Sequence, residues 1–436
     1  MRQVFGAAPL LLAALALWAA SARGAGASAR LAPRRAPLRA RPVVLVPGDG
    51  GCQLEARWSV PSTRHAFCPR DSHGWRTIWL QVHDLLPGEV DCWSDLIRVQ
   101  YLGAPHRYAN ASGVEMRVPG FGDKRSVEAL DPDLALGTQY MHALVRALVQ
   151  RGGLERGAGG VAAAPYDFRL TPWSNAALQG DFAALVERSF ARAGGRRVAL
   201  LSHSMGSLVT LALLRAQGAE WARKFVHSWT SLAGVFGGAA MEARLHASGD
   251  NVGIAFVRSA SVVAEQRTYE SNQWMLPNPR AFGDQVLLEV PHLNLSYAAS
   301  DHARLLRDVG FAQGAEVHRA LDARLGDLPA PGVRVRLVIG TGVPTPERFV
   351  YTKGDRESWF HSDPEHVLTG PGDGTVNERS LEFPLKWRAE QTQEVSLHLH
   401  PGVSHAALVS DSKVIDEFLS WISRDEPELE LEQVPA

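Results

Sequence analysis

Three residues of this chain have the types, and occur in the order, that nucleophilic catalysis on an ester requires: Ser204, Asp373 and His405. A serine hydroxyl is a weak nucleophile until a neighbouring base accepts its proton, and an imidazole base works best when a carboxylate orients it. The chain order serine, acid, histidine is typical of enzymes whose nucleophile follows a strand of a parallel sheet. These residues therefore predict acyl transfer through an acyl-serine intermediate.

The candidate nucleophile lies in the sequence SHSMG at 202–206, a variant of G-x-S-x-G in which a serine replaces the first glycine. The apolar residues 198–201 predict a buried strand before it, and residues 208–214 predict a helix after it. A serine on such a sharp turn projects its hydroxyl from the end of the sheet, and the next backbone N–H, that of Met205, points at the oxygen under attack. The alternative is a buried strand followed by a capped helix with no catalytic role.

The candidate acid and base each follow a later predicted strand. Asp373 stands between glycines in GDGTVN at 372–377, and His405 ends the turn PGVSH at 401–405. Asp355 and Asp363 are rival acids in the same loop, but neither lies in so constrained a turn. Two further histidines alternate with leucines on the last strand, and we interpret them as half-exposed strand residues rather than a metal pair: His398 and His400.

A second donor to the oxyanion is expected in the glycine-rich loop after the strand at 42–47. In enzymes of this type such a loop supplies the other backbone N–H, here that of Asp49. A phosphate-binding loop is the competing interpretation, but no Gly-Lys-Ser/Thr follows. The carboxyl group of Asp49 would repel a developing oxyanion when ionised, so we hypothesise that activity favours acidic pH; a simple loop-capping role is the alternative.

Strands alternate with helices through most of the chain, which predicts an α/β fold with a largely parallel sheet covered on both faces. The rhythm stops at residues 239–327, a long insertion typical of a cap or lid. The other predicted strands are residues 97–101, 114–118, 161–164, 225–232, 333–339 and 395–399. The other predicted helices are residues 140–150, 182–190 and 414–422.

Composition narrows the class of protein. A formal net charge of −1 leaves no surplus of cations for phosphates, so we expect no nucleic-acid partner. Residues 1–25 have the layout of a secretory signal peptide, and no later stretch has the roughly 20 apolar residues of a membrane helix. Two N-x-S sequons fit an exported glycoprotein, at Asn110 and Asn294. Residues 26–41 are a predicted connector, and residues 423–436 a predicted acidic tail.

Three cysteines leave one unpaired if a disulfide forms. We pair Cys68 with Cys92, which bracket a compact segment, and leave Cys52 free. The segment and its flanks are rich in tryptophan and leucine, which indicates either a surface that enters a lipid interface or a small satellite core. The residues predicted to contact lipid are Trp75, Trp79, Leu80, Leu85 and Leu86.

Nine short blocks together resemble the lecithin:cholesterol acyltransferase family, and they extend over nearly the whole chain after the leader. The blocks are VLVPGD at 44–49, QLEA at 53–56, TIWL at 77–80, DCW at 91–93, APYD at 164–167, HSMG at 203–206, SGDN at 248–251, GTGVPTP at 340–346 and GDGTVN at 372–377. Within the family, the chain is most similar to the lysosomal branch, since Asp49 stands where the plasma branch carries a cysteine and the second plasma disulfide has no cysteines here.

The resemblance implies an α/β-hydrolase core with a membrane-binding domain and a lid. It also implies release of acyl chains from glycerophospholipids through acyl-Ser204 and their transfer to water or a lipid alcohol such as ceramide. It assigns Asp373 as acid, His405 as base, and Asp49 and Met205 as oxyanion donors. The implied division is core at 42–58, membrane-binding segment at 59–110, core at 111–238, cap at 239–327 and core at 328–422.

The sequence leaves two other functions open: a cholesterol-esterifying plasma-type acyltransferase, and a catalytically silent hydrolase-fold protein that binds lipid or a partner. We expect no metal or organic cofactor, because the three residues generate their own nucleophile. We also expect a monomer that associates peripherally with a phospholipid membrane and resides in the lysosome or outside the cell.

Overall fold

The computed structural model describes residues 40–251 and 253–423. The predicted leader, nearly all of the connector, and the acidic tail beyond residue 423 lie outside the described residues. Among the described residues, no helix has both the length and the apolar character needed to cross a bilayer.

A six-stranded parallel sheet forms the centre of the fold. Its strands are rich in valine, leucine and alanine and are mostly buried, as expected of a parallel sheet covered on both faces. In spatial order they are Val395–Pro401, Val335–Thr341, Val226–Leu232, Val198–His203, Val43–Val46 and Val161–Ala163. The predicted α/β-hydrolase core is thereby confirmed, and the strands preceding Ser204 and Asp49 are direct neighbours.

Helices cover this sheet and build the rest of the chain. His142–Gln150 contacts the closing helix Ser412–Ser423, while Ala176–Arg192 contacts Gly206–Gln217, the helix that follows the nucleophile turn. The remaining α-helices are Glu89–Ile97, Arg125–Glu128, Ala219–Phe225, Ala240–Ser248, Ser259–Gln266, Glu270–Trp274, Pro279–Phe282, His302–Asp308, Ala312–Leu325, Glu378–Leu381 and Trp387–Glu390. Short 3₁₀ turns occur at Val82–Leu85, Pro291–Leu293, Ala299–Asp301, Trp359–His361, Phe383–Lys386 and Ala406–Val409.

A second, four-stranded sheet, here called the cap sheet, joins the predicted cap insertion to a later part of the chain. Val286–Val290 and Leu295–Ala298 come from the predicted insertion, whereas Thr345–Val350 and His366–Gly370 come from beyond residue 328. A separate apolar core lies beneath this sheet and includes Leu288, Phe349 and Trp359. Strand pairing therefore adds two strands from beyond residue 328 to the sheet of the predicted cap. The sequence pattern alone assigned those two strands to the core.

The disulfide-closed segment packs beside the oxyanion loop. Its strand Arg76–Trp79 pairs with Leu54–Trp58, which also pairs with Val114–Arg117. A hairpin of Val99–Tyr101 and Tyr108–Asn110 follows. The predicted bond between Cys68 and Cys92 is confirmed, with a Cα–Cα distance of 5.5 Å, and Cys52 is a free, buried thiol.

One predicted lipid contact, Leu85, is wrong, and a second, Trp79, is partly buried. Leu85 is only 3% exposed and belongs to the main apolar core, so it is not available to a membrane. Trp79 turns its indole N–H to the Gly50 carbonyl at 2.7 Å and packs against Trp93 and Phe168, because this strand lies against the oxyanion loop. Here the satellite-core interpretation is the better one.

The last strand also differs from its prediction. Leu399 is exposed, whereas His400 is buried and has its Nε2 atom 3.4 Å from Glu417. His398 is half-buried and contacts the Trp421 ring in a tilted arrangement, with 4.5 Å between ring centroids. No cluster of three or more metal-binding side chains occurs within residues 40–251 and 253–423.

Candidate active site

Ser204 occupies a backbone conformation that marks it out from its neighbours. Its φ is +55°, in the left-handed region that non-glycine residues seldom adopt without a functional reason. The turn is possible because Gly206 packs against the strand Val43–Val46: a Cβ on Gly206 would lie 2.6 Å from the Val46 carbonyl oxygen. The Ser204 N–H donates to the Leu232 carbonyl at 2.9 Å, which fixes the turn to the next strand.

Asp373 and His405 meet at the carboxyl ends of neighbouring strands. His405 Nδ1 lies 2.8 Å from Asp373 Oδ2, and the His405 N–H donates to the Asp373 carbonyl at 2.8 Å. Since Nδ1 carries the proton toward the carboxylate, Nε2 is the ring nitrogen left to accept a proton from a nucleophile. The His405 ring contacts that of His203, the residue before Ser204, in a tilted arrangement with 4.8 Å between centroids.

The carboxylate of Asp373 is fully buried but well stabilised. Its Oδ1 accepts hydrogen bonds from the N–H groups of Thr375 at 3.0 Å and Val376 at 2.8 Å. Burial disfavours the charge, but the proximity and hydrogen bond of His405, together with these N–H groups, outweigh it and hold the Asp373 pKa below its ordinary value. The Asp373 carboxylate therefore stays ionised to a lower pH than that of an ordinary aspartate.

The rival acids lie elsewhere. Asp355 is exposed and bonds to the Ser358 hydroxyl at 2.6 Å, and Asp363 is exposed and pairs with Arg244 at 3.0 Å. The structure thus brings Asp373, and neither rival, to the histidine.

The oxyanion loop follows the strand Val43–Val46 and lies against the nucleophile. A Cβ on Gly48 would lie 2.9 Å from that of Ser204, so glycine permits this close approach. Asp49 follows in the same loop, and Met205 caps the helix Gly206–Gln217, where N–H groups lack intrahelical acceptors. Both predicted donors therefore belong to loops that border Ser204.

Asp49 is the exposed residue of its loop, yet the desolvation of its carboxyl group by the surrounding protein raises the pKa of that group to about 7. A hydrogen bond from the Gly50 N–H opposes this shift. Two buried carboxyl groups of the predicted cap interact electrostatically with Asp49, those of Glu242 and Glu265, and each has one oxygen without a hydrogen-bond partner among the described residues. Burial, with a smaller contribution from Asp49, raises the pKa of Glu265 to about 8 and that of Glu242 well above its usual range. The sequence carried no signal for these two glutamates.

The remaining predicted sites have mixed environments. Asn294 is exposed in a left-handed turn, as an accessible sequon requires, whereas Asn110 is half-buried and its Oδ1 accepts from Arg169 at 2.8 Å. Cys52 lies under the oxyanion loop and donates its thiol proton to the Tyr166 carbonyl at 3.0 Å. Ser202, at the position of the missing glycine, accepts from the Trp229 indole at 2.8 Å, so a buried hydroxyl replaces the glycine without an unpaired polar atom.

Comparison with known proteins agrees with this geometry. The profile of the lecithin:cholesterol acyltransferase family matches residues 74–302 and 303–413. A lysosomal phospholipase A and acyltransferase of Bos taurus is 38% identical over 86% of this chain and 89% of its own length. A phosphatidylcholine-sterol acyltransferase of Mus musculus is also 38% identical, over 86% of this chain and 84% of its own. These identities do not separate the two branches.

A solved structure supports the fold. The crystal structure of the Tle4-Tli4 complex contains a chain that aligns with a TM-score of 0.52 over 89% of this chain and 98% of its own length, at 15% identity. The parallel sheet, the turn at Ser204 and the extent of the family match lead to one conclusion. The chain belongs to the lecithin:cholesterol acyltransferase family and is an α/β-hydrolase enzyme of phospholipid acyl transfer.

Proposed function

We propose that this enzyme is a serine phospholipase A and transacylase in which Ser204 is the nucleophile, His405 the general base and Asp373 its orienting acid. The observation that carries the proposal is the 2.8 Å bond between Asp373 and His405, whose ring contacts that of His203, the residue before Ser204. The acyl donor is a glycerophospholipid, and the acceptor is water or a lipid alcohol such as ceramide.

The first half of the reaction forms the acyl-enzyme. Ser204 Oγ attacks the ester carbonyl carbon while His405 Nε2 takes the hydroxyl proton, and the N–H groups of Asp49 and Met205 stabilise the oxyanion. When the tetrahedral intermediate collapses, the C–O bond to the glycerol oxygen breaks. His405 returns the proton to that oxygen, so the lysophospholipid leaves as an alcohol.

The second half transfers the acyl group. Water or the hydroxyl of a lipid alcohol attacks acyl-Ser204 as His405 Nε2 accepts its proton, and the same two N–H groups bind the second oxyanion. Collapse breaks the bond to Ser204 Oγ, which recovers its proton from His405. The products are a fatty acid or an acylated lipid alcohol, together with the free enzyme.

The test is acyl release and transfer from phosphatidylcholine vesicles that contain a short-chain ceramide and cholesterol, at acidic and neutral pH. We expect transfer to ceramide that is lost in Ser204→Ala and in Asp373→Asn but retained in Asp363→Asn, the matched exposed carboxylate. Transfer to cholesterol at neutral pH would instead support the second candidate, a plasma-type acyltransferase, which the 38% identity to the mouse sterol acyltransferase favours equally. Turnover that survives Ser204→Ala would refute the proposed nucleophile.

We further propose that acidic pH favours the reaction, because three carboxyl groups near the oxyanion must lose their charge. Asp49, Glu242 and Glu265 have raised pKa values, so each is neutral at lower pH and negative at higher pH. With a pKa of about 7, Asp49 is about 99% protonated at pH 5 and about 9% at pH 8. Asp49→Asn should therefore move the alkaline limb of the activity profile upward, whereas Asp363→Asn should leave it in place; an unmoved limb in Asp49→Asn would contradict the idea.

A membrane surface is the proposed partner. The side chains of Leu134 and Leu136 are 42% and 91% exposed. Their loop is hydrogen-bonded to the disulfide-closed segment. The Asp131 carboxylate accepts from the Val82 N–H at 2.9 Å, and the Leu80 N–H donates to the Leu130 carbonyl at 3.1 Å. We propose that these two leucines and the half-buried Leu80 are the apolar side chains that enter the boundary of a bilayer. Export through the predicted leader and residence in the lysosome or outside the cell remain part of this proposal.

A further inference from the structure

Tyr140 and His203 connect the two halves of the active site through three consecutive hydrogen bonds. The Gly48 N–H donates to Tyr140 Oη at 3.0 Å, Tyr140 Oη lies 2.6 Å from His203 Nδ1, and His203 Nε2 lies 3.1 Å from the His405 carbonyl oxygen. The first residue of this series belongs to the oxyanion loop and the last is the catalytic base. The partners are 92, 63 and 202 residues apart in sequence.

For a neutral His203, only one arrangement of protons satisfies all three bonds. A carbonyl oxygen can only accept, so His203 Nε2 carries a proton and His203 Nδ1 is an acceptor. Tyr140 must then donate its hydroxyl proton to Nδ1 and accept from Gly48. This requires a neutral His203, and burial, helped by the nearby His405, lowers its pKa to about 3. The series therefore stays intact at acidic and neutral pH.

Each end of the series touches the reacting groups. Gly48 lies directly against Ser204 and precedes the oxyanion donor Asp49. At the other end, His405 is held by its carbonyl to His203, by its N–H to the Asp373 carbonyl, and by a tilted contact with the His203 ring. A shift of Tyr140 or His203 would thus change the distance between oxyanion donors and base.

We propose that Tyr140 and His203 are positioning residues that hold the oxyanion loop and the His405 loop at the separation that acyl transfer needs. The inference rests on the proposed roles of Ser204 and His405. Neither residue contacts the reacting atoms, so their effect is on the rate of the chemical step rather than on substrate binding. A purely structural role predicts the contrary: lower stability with an unchanged kcat.

The experiment measures kcat, KM and thermal stability of Tyr140→Phe, His203→Leu and the double variant on a soluble phospholipid or short-chain ester. We expect each single variant to lower kcat on the order of 10- to 100-fold with KM within about twofold, as misplacement of a catalytic group does. Because both act through one series of bonds, the double variant should lose little more than the worse single variant. His203→Gln, which can still donate to the His405 carbonyl, replaces His203→Leu if the latter does not fold.

Tyr351→Phe is the matched control, since Tyr351 is a fully buried tyrosine whose hydroxyl bonds to Ser248 at 2.8 Å within the cap. It should lower stability and leave kcat unchanged. A wild-type kcat in Tyr140→Phe and His203→Leu, or losses that multiply in the double variant, would overturn the inference. Ser204→Ala on the same substrate separates a failure of the proposed function from a failure of the positioning role. Activity in Ser204→Ala would refute the proposed nucleophile. An inactive Ser204→Ala together with a fully active Tyr140→Phe would refute only the positioning role.

Discussion

Two buried histidines, His246 and His302, should make the predicted cap sensitive to acid, and His302 allows the effect to be measured. His302 is 2% exposed, its Nε2 donates to the Pro277 carbonyl at 2.7 Å, and its Nδ1 has no hydrogen-bond partner among the described residues. The His318 ring lies 5.0 Å away, and His246, also buried, interacts with both. Protonation of Nδ1 would therefore create a positive charge and a second N–H group that has no acceptor among the described residues.

The magnitude follows from the difference between the folded and unfolded states. Burial, with His318 and His246, lowers the pKa of His302 to about 3, whereas an unfolded histidine titrates near 6.5. Stability is full above pH 6.5 and is lost as pH falls toward 3, because only the unfolded chain binds the proton in that window. At pH 5 the loss for this one side chain is about 2 kcal/mol.

The assay is urea unfolding of wild type, His302→Gln and Ser248→Ala at about pH 7.5 and about pH 5. The glutamine can still donate to the Pro277 carbonyl but cannot titrate, so we expect the wild type to lose about 2 kcal/mol more than this variant between the two pH values. Ser248 is a buried cap residue without a titrating group, and its variant should follow the wild-type pH dependence. Equal pH dependence in wild type and His302→Gln would refute the reasoning. If it holds, the cap is least stable at the acidic pH proposed for catalysis.

Three further predictions concern single side chains. Cys52 is fully buried, and burial is the largest cause that raises its pKa to about 12. Ellman's reagent should therefore find no reactive thiol in the folded protein and one after denaturation. Rapid labelling of the native enzyme would contradict this expectation. Gly206→Ala places a methyl group against the Val46 and Pro47 carbonyls and should abolish ester hydrolysis. It should also lower the free energy of unfolding by about 1–3 kcal/mol. Gly180→Ala, in an open helical position, should leave stability unchanged or raise it slightly. Leu136→Ser should weaken sedimentation with phospholipid vesicles roughly tenfold and leave the melting temperature unchanged, while Val367→Ser, exposed on the cap sheet, should not affect binding.

Much of the local structure could be predicted because it depends on short-range patterns. The apolar runs before Ser204 and Asp49 became neighbouring strands, and the spacing of Cys68 and Cys92 allowed the correct disulfide. The sequence also singled out Asp373 and His405, which the structure brings into hydrogen-bond contact, although their catalytic roles await the variants described above.

Other features depend on contacts between distant segments. The cap sheet joins Val286–Val290 to Thr345–Val350, and no periodicity in either stretch identifies the partner. Leu85 has the apolar character of a lipid contact, but its burial against neighbouring elements decides that it is not one. Exposure of a leucine is a property of the surface, which the sequence alone does not define.

By itself, the sequence determined the chemistry available to this enzyme: a serine on a strand-to-helix turn, a later acid and histidine, and glycines where backbones must approach. Tertiary structure alone decided how those groups are held. Tyr140 and His203 meet across 63 residues, and His203 reaches His405 across 202. Such bonds arise because the packed sheet brings loop ends together, and their directions follow from burial and from which atoms can donate a proton.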